Sequence, residues 1–204
     1  YEYQFTNRQA MDFFITATET QKDLLNTHFV RDNKPMSKIF TIPVGALEEL
    51  VKPTAHRRPY AILTASRLAE EKHIDWLIKA VAKAKETLPQ LTFDIYGEGG
   101  SKQKLLKLIE ELDASDYIQL KGHADLKYIY KQYELYLSAS TSEGFGLTLM
   151  EAVGSGLPII GFNVRYGNIT FINDGENGYL LPFDDIFNNE KHIQHLSDAL
   201  VRFY

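Results

Sequence analysis

The 204 residues contain no cysteine. That excludes disulfide frameworks, thiolate nucleophiles and cysteine-based metal sites, and a reduced cytoplasmic setting is the expectation. No apolar run approaches the ~18 residues that a membrane helix needs, so no segment is predicted to span a bilayer. Excess positive charge is also lacking. At a formal net charge of −5 the chain has no general affinity for polyanions, and no nucleic-acid partner is expected. An anionic ligand would have to be held by a few local cations. No charged-then-apolar leader follows Tyr1, and the chain is expected to be a piece of a longer protein.

What is present has globular proportions. Apolar residues make up 44% and charged residues 24%, which rules out global disorder and fits one large domain, or one with a short appendage. The 12 Tyr and 12 Phe are scattered through apolar segments, which assigns most of them to core packing.

Short β-rich runs alternate with helix-period segments, the signature of βαβ units and a parallel sheet. Phe13–Ala17 reads as a strand, and Thr18 with Gln21 forms a capping box that opens a helix. Lys38–Ile42 reads as a second strand. The Pro- and basic-rich stretch from Val51 to Pro59 reads as a loop or linker. Strands are then predicted at Tyr60–Ala65, Leu91–Tyr96, Tyr117–Lys121, Glu134–Ser138, Leu157–Phe162 and Tyr179–Leu181. Between them, Ile74, Leu77, Ile78 and Val81, and again Leu105, Leu108, Ile109 and Leu112, follow helical spacing. The fold class predicted is α/β, a Rossmann-like doubly wound parallel sheet with its ligands at the carboxyl ends of the strands.

The unusual residues fall at those ends. Arg67 and Lys72 follow the first strand of the series, on a loop leading into a helix. They could grip a diphosphate, or they could be a solvated loop with surface ion pairs. Gly97-Glu98-Gly99-Gly100 lacks the glycine that a dinucleotide fingerprint needs at its sixth position, where Lys102 stands, and reads as a flexible turn. Lys121, Gly122 and His123 end another strand. Gly122 could admit the backbone to a flat ligand, while a lone histidine after a strand is more often structural. The strongest segment runs from Ser140 to Ala152. Gly144, Phe145, Gly146, Leu147 and Thr148 feed straight into an apolar helix whose N-terminal amides can bind an anion. Glu143 stands outside that terminus and Glu151 in its second turn, two carboxylates placed for different parts of one ligand. Alternatively Glu143 caps the helix and Glu151 is merely solvated.

The motif Glu143-Gly-Phe-Gly with Glu151-Ala, together with Ser66-Arg67-Leu68…Lys72 and Gly156-Leu157-Pro158, resembles glycosyltransferase family 4. These are GT-B enzymes built from two Rossmann-like halves. The resemblance covers the C-terminal, donor-binding half, from about Lys38 onward. It implies that residues 38–204 bind a nucleotide sugar and that residues 1–37 are the end of the acceptor half or the crossover from it. Arg165-Tyr166-Gly167-Asn168 and Asp174-Gly-Glu-Asn-Gly-Tyr179 are similar to a Gram-positive subgroup. That subgroup holds the protein O-N-acetylglucosaminyltransferases of accessory secretion systems and, as the runner-up, wall-teichoic-acid glycosyltransferases. A third reading is a partner subunit that has lost catalysis, against which the four intact residues Arg67, Lys72, Glu143 and Glu151 argue.

By resemblance, Arg67 and Lys72 bind the donor diphosphate, Lys121, Gly122 and His123 flank uracil, and Glu143 with the Gly144–Gly146 backbone holds sugar hydroxyls and the β-phosphate. Glu151 takes the ribose hydroxyls. The resemblance further implies retention of configuration with no dedicated metal or other cofactor, UDP-GlcNAc being a co-substrate; no Asp-x-Asp triplet occurs. It implies a serine-rich repeat protein as acceptor, a GtfB-like partner protein, and a cytoplasmic location with peripheral association at the inner membrane face. The helix from His192 to Tyr204 is expected to leave its apolar face (Ile193, Leu196, Leu200, Phe203) partly exposed.

Overall fold

The computed structural model describes residues 13–31, 38–42, 56–184 and 187–204. The chain divides into two compact units, Tyr1–Ala46 and Leu47–Tyr204. In the first, β1 (Phe13–Thr16) pairs in parallel with β2 (Lys38–Thr41), and α1 (Glu19–Arg31) lies between them in sequence. The predicted capping box forms. The Gln21 amide donates to Thr18 Oγ1 at 3.1 Å, and the Thr18 amide donates back to Gln21 Oε1 at 3.3 Å. Lys38–Thr41 pairs with Phe13–Thr16 and is not a strand of the larger sheet. Of the predicted loop from Val51 to Pro59, residues 51–55 lie outside the described residues.

The second unit holds six parallel strands: β3 (Ala61–Ala65), β4 (Thr92–Tyr96), β5 (Ile118–Gly122), β6 (Leu135–Leu137), β7 (Ile159–Phe162) and β8 (Gly178–Leu181). Their order across the sheet is β5-β4-β3-β6-β7-β8. This is the doubly wound, Rossmann-like order, and it reverses direction between β3 and β6, where such folds open a ligand crevice. Each predicted strand of this series is found within two residues of its expected ends. Central β3 is buried at all five positions, as a strand covered by helices on both faces must be.

The covering helices are α2 (Ile74–Lys85), α3 (Lys102–Glu111), α4 (Leu147–Gly154), α5 (Gly167–Phe171) and α6 (Asn189–Phe203). Ile74, Leu77, Ile78 and Val81 of α2 are buried as their spacing predicts. Each such side chain contributes about 1.5–3 kcal/mol by leaving water. Asp75 in the first turn of α2 and Lys83 and Lys85 in the last complement its dipole. The expectation for the last helix is overturned for three of its four residues: Ile193, Leu196 and Leu200 of α6 are buried in one core with Ile74, Leu77 and Val81 of α2, while Phe203 is only partly buried against it. Asn188 caps α6, its side chain accepting from the Lys191 amide at 3.1 Å. Most of the α6 stripe is thus covered within its own unit.

Candidate active site at the switch point

The crevice between β3 and β6 is walled by loops that the sequence places there for identifiable reasons. After β3, residues 66–69 run against the glycine turn after β4. The Leu68 amide donates to the Glu98 carbonyl at 2.9 Å and the Ser66 amide to that of Tyr96 at 3.1 Å. Gly97 sits at φ +130°, and a Cβ there would lie 1.8 Å from the Ser66 carbonyl oxygen. The Gly-Glu-Gly-Gly turn is therefore a backbone-to-backbone lock rather than a flexible turn. Gly97 and Gly99 allow the close approach, and so fix the loop that carries Arg67.

Lys72 ends a single 3₁₀ turn, Glu70–Lys72. Its Nζ donates to Glu143 Oε1 at 2.5 Å, and the two side chains are only 13% and 14% exposed. Two residues far apart in the chain are thus joined across the switch point. Glu143 is itself pinned: its amide donates to the Arg165 carbonyl at 3.3 Å and its carbonyl accepts from the Tyr166 amide at 2.6 Å. Arg67, by contrast, is 77% exposed and pairs with Glu71 at 2.9 Å, a surface ion pair of a solvated loop. An exposed pair of this kind contributes little to stability, so an incoming anion can displace Glu71 at small cost.

Helix α4 begins at Leu147, with Gly146 before it at φ 87°. The first amides of a helix have no partner within it and point outward with the positive end of its dipole. Thr148 lies 3.0 Å from the hydroxyl of Tyr136, which donates to the Ala65 carbonyl at 2.8 Å and accepts from the Ala65 amide at 3.3 Å. Burial pushes the Tyr136 phenol up to about 12, with the nearby Glu143 adding to the shift. One turn on from Thr148, Glu151 Oε2 accepts from the Tyr130 hydroxyl at 2.8 Å. Phe145 packs edge-on against Phe171, ring centroids 5.3 Å apart, and Leu147 stays exposed.

A cleft of about 340 Å³ lies at this point, lined by Ser66, Arg67, Gly97, His123, Leu126 and Thr148 among others. Arg67, His123 and Thr148 are thus brought together. Gly122 supports the rim, its carbonyl accepting from the Gly97 amide at 2.8 Å. The Lys121 side chain is exposed and donates to Gln119 along β5 at 3.2 Å instead of lining the cleft. Lys72, Glu143 and Glu151 do not line this cleft, and a larger recess of about 550 Å³, lined by Glu70, His73, Trp76, Lys104 and Phe183 among others, includes none of Arg67, Lys72, Glu143 or Glu151. Sequence reasoning passed over Tyr130 and Tyr136. Both sit in apolar stretches, and only their hydroxyl contacts distinguish them from core rings.

The switch-point loops therefore carry a near-neutral Lys72–Glu143 ion pair, one loosely held cation at Arg67 and the N-terminus of α4, of which Arg67 and Thr148 line the cleft itself, a set suited to an anionic, hydroxyl-rich ligand. The chain is 63% identical over 201 residues to the UDP-N-acetylglucosamine–peptide N-acetylglucosaminyltransferase GtfA subunit of Streptococcus gordonii, covering 98% of this chain and 38% of that protein. The structure of the pneumococcal O-GlcNAc transferase GtfA in complex with UDP and GlcNAc matches with a TM-score of 0.94 at 54% identity, over 100% of this chain and 40% of that one. A GtfA/B complex matches with a TM-score of 0.92 at 57% identity, again over 100% of this chain and 40% of that one. The chain thus spans about two fifths of the length of these relatives. The model of the glycosyl transferases group 1 family matches residues 48–199, which takes in every strand of the six-stranded sheet and every residue of the crevice. The chain belongs to the glycosyl transferases group 1 family.

Proposed function

We propose that this chain is the C-terminal, donor-binding half of a family 4 GT-B glycosyltransferase that moves N-acetylglucosamine, with retention, from UDP-GlcNAc to Ser/Thr of a serine-rich repeat adhesin. The observation that carries the reading is the Lys72–Glu143 pair, set at the switch point beside the α4 N-terminus and within the loop system that holds Arg67.

Breaking the bond between the sugar C1 and the phosphate oxygen leaves the electron pair, and a growing negative charge, on the UDP β-phosphate. Arg67 and Lys72 stand ready to meet that charge, and the amides at Gly144–Leu147 add dipoles that need no reorganisation. One such preorganised donor is worth about 3–4 kcal/mol in a transition state. Glu143, freed in part from Lys72 when the phosphate arrives, accepts from sugar hydroxyls. Glu151 accepts from the ribose diol, and the backbone at Lys121, Gly122 and His123 flanks uracil. In this reading UDP-GlcNAc is a co-substrate and the cations around its diphosphate are the chain's own.

The likeness to the GtfA subunit and to a GtfA/B complex supports a GtfB-like partner and a protein acceptor. The place of action proposed with it is the cytoplasm, peripherally at the inner membrane face. The test is transfer by the full-length protein from radiolabelled UDP-GlcNAc, offered a serine-rich peptide and a polyol-phosphate polymer together. Label on the peptide is expected. Label on the polymer alone would overturn the proposal in favour of a teichoic-acid transferase.

A further inference from the structure

Helix α4 is held from beneath by two tyrosines. Thr148 and Glu151, three residues apart and so on one helix face, meet the hydroxyls of Tyr136 and Tyr130. Tyr130 opens the short 3₁₀ turn Tyr130–Gln132 that leads into β6. It is 1% exposed, and its ring packs among Tyr136, Leu149 and Ala152. Water therefore cannot replace its hydroxyl. Burial, with Tyr136 and the Glu151 carboxylate adding to it, pushes the Tyr130 phenol far above its ordinary range, so that it keeps its proton and donates at any working pH.

We propose that Tyr130 is a positioning residue for nucleotide binding: its hydroxyl, 2.8 Å from Glu151 Oε2, fixes the orientation of that carboxylate and leaves Oε1 to accept from the vicinal hydroxyls of a ribose. A free glutamate on a helix samples many rotamers, and freezing it at the moment of binding weakens the complex. A hydrogen bond from a buried phenol to a charged oxygen is of the strong class, and here it is already in place before the ligand arrives. The inference rests on the nucleotide-sugar reading of this crevice, because it assigns Glu151 a ribose.

The test is titration calorimetry of the full-length protein with two probes, UDP and 2′,3′-dideoxy-UDP, in Tyr130→Phe, Glu151→Gln and the double variant. Tyr130→Phe keeps the ring and its packing. It is expected to weaken UDP about tenfold, the order set by one charge-assisted hydrogen bond, and to leave dideoxy-UDP unchanged. Added to Glu151→Gln, it should cost nothing more. Equal weakening of both nucleotides by Tyr130→Phe would overturn the inference, since the hydroxyl would then act on the crevice as a whole. So would unchanged UDP affinity in Tyr130→Phe alongside a loss in Glu151→Gln. Unchanged UDP affinity in Glu151→Gln itself would instead remove the ribose assignment on which the inference stands.

Discussion

Replacing Lys72 by methionine removes the partner of a carboxylate that has little access to water. At 2.5 Å, with an effective dielectric constant of ~20, the attraction between Lys72 and Glu143 is about 7 kcal/mol. Taking both ions out of water costs several kcal/mol each, so the intact pair contributes little net stability. Breaking it is different, because the desolvation of Glu143 stays while the attraction goes. Loss of one partner of a buried pair costs ~3–5 kcal/mol, and residual exposure of 13% and 14% puts this pair at the lower end, about 3 kcal/mol. Lys72→Met with Glu143→Gln should recover about 2 kcal/mol of the summed single losses, a coupling that a double-mutant cycle isolates. Urea unfolding followed by the fluorescence of Trp76, the chain's one tryptophan and a member of the main core cluster, reads the relevant unit directly. Additivity of the two single losses to within about 0.5 kcal/mol would refute the reasoning.

The other predictions separate stability from function. Arg67→Ala should leave urea stability unchanged within ~0.5 kcal/mol, because the Glu71 pair is exposed, yet lower transfer kcat/KM by about 10²-fold or more in the full-length protein. Gly97→Ala should cost at least ~2 kcal/mol in thermal melts, since its Cβ would collide with the Ser66 carbonyl at a positive φ; Gly100→Ala, with open space around it, should stay within ~0.5 kcal/mol. The Tyr136 phenol is raised above its unfolded value, so the unfolded chain releases its proton first. Its stabilising contribution is complete below pH 10 and is lost as pH climbs through 10 towards 12, which unfolding free energies measured across that window would register. Flat stability over that window would contradict the assignment.

The sheet was legible because its signals are redundant. β-branched and aromatic runs such as Thr92–Tyr96, alternating with helices such as α2 with Ile74, Leu77, Ile78 and Val81 at regular spacing, leave few alternatives to a doubly wound sheet. The capping box at Thr18 and Gln21 is a local rule and held for that reason. Properties that depend on distant partners were not legible. Gly97, Glu98 and Gly99 gave no sign that they lock against residues 66–68, and the α6 stripe gave no sign that α2 covers it. Sequence placed Lys72 and Glu143 at strand ends but could not join them into one pair. The hydroxyls of Tyr130 and Tyr136 were hidden by the apolar company of their rings.

The most direct test of the account is a structure of the full-length protein with UDP. The diphosphate is expected against Arg67, Lys72 and the amides at the start of α4, the ribose hydroxyls on Glu151, and uracil beside the backbone of Lys121–His123. A diphosphate bound away from these groups, for example in the larger recess beside His73 and Trp76, would contradict it.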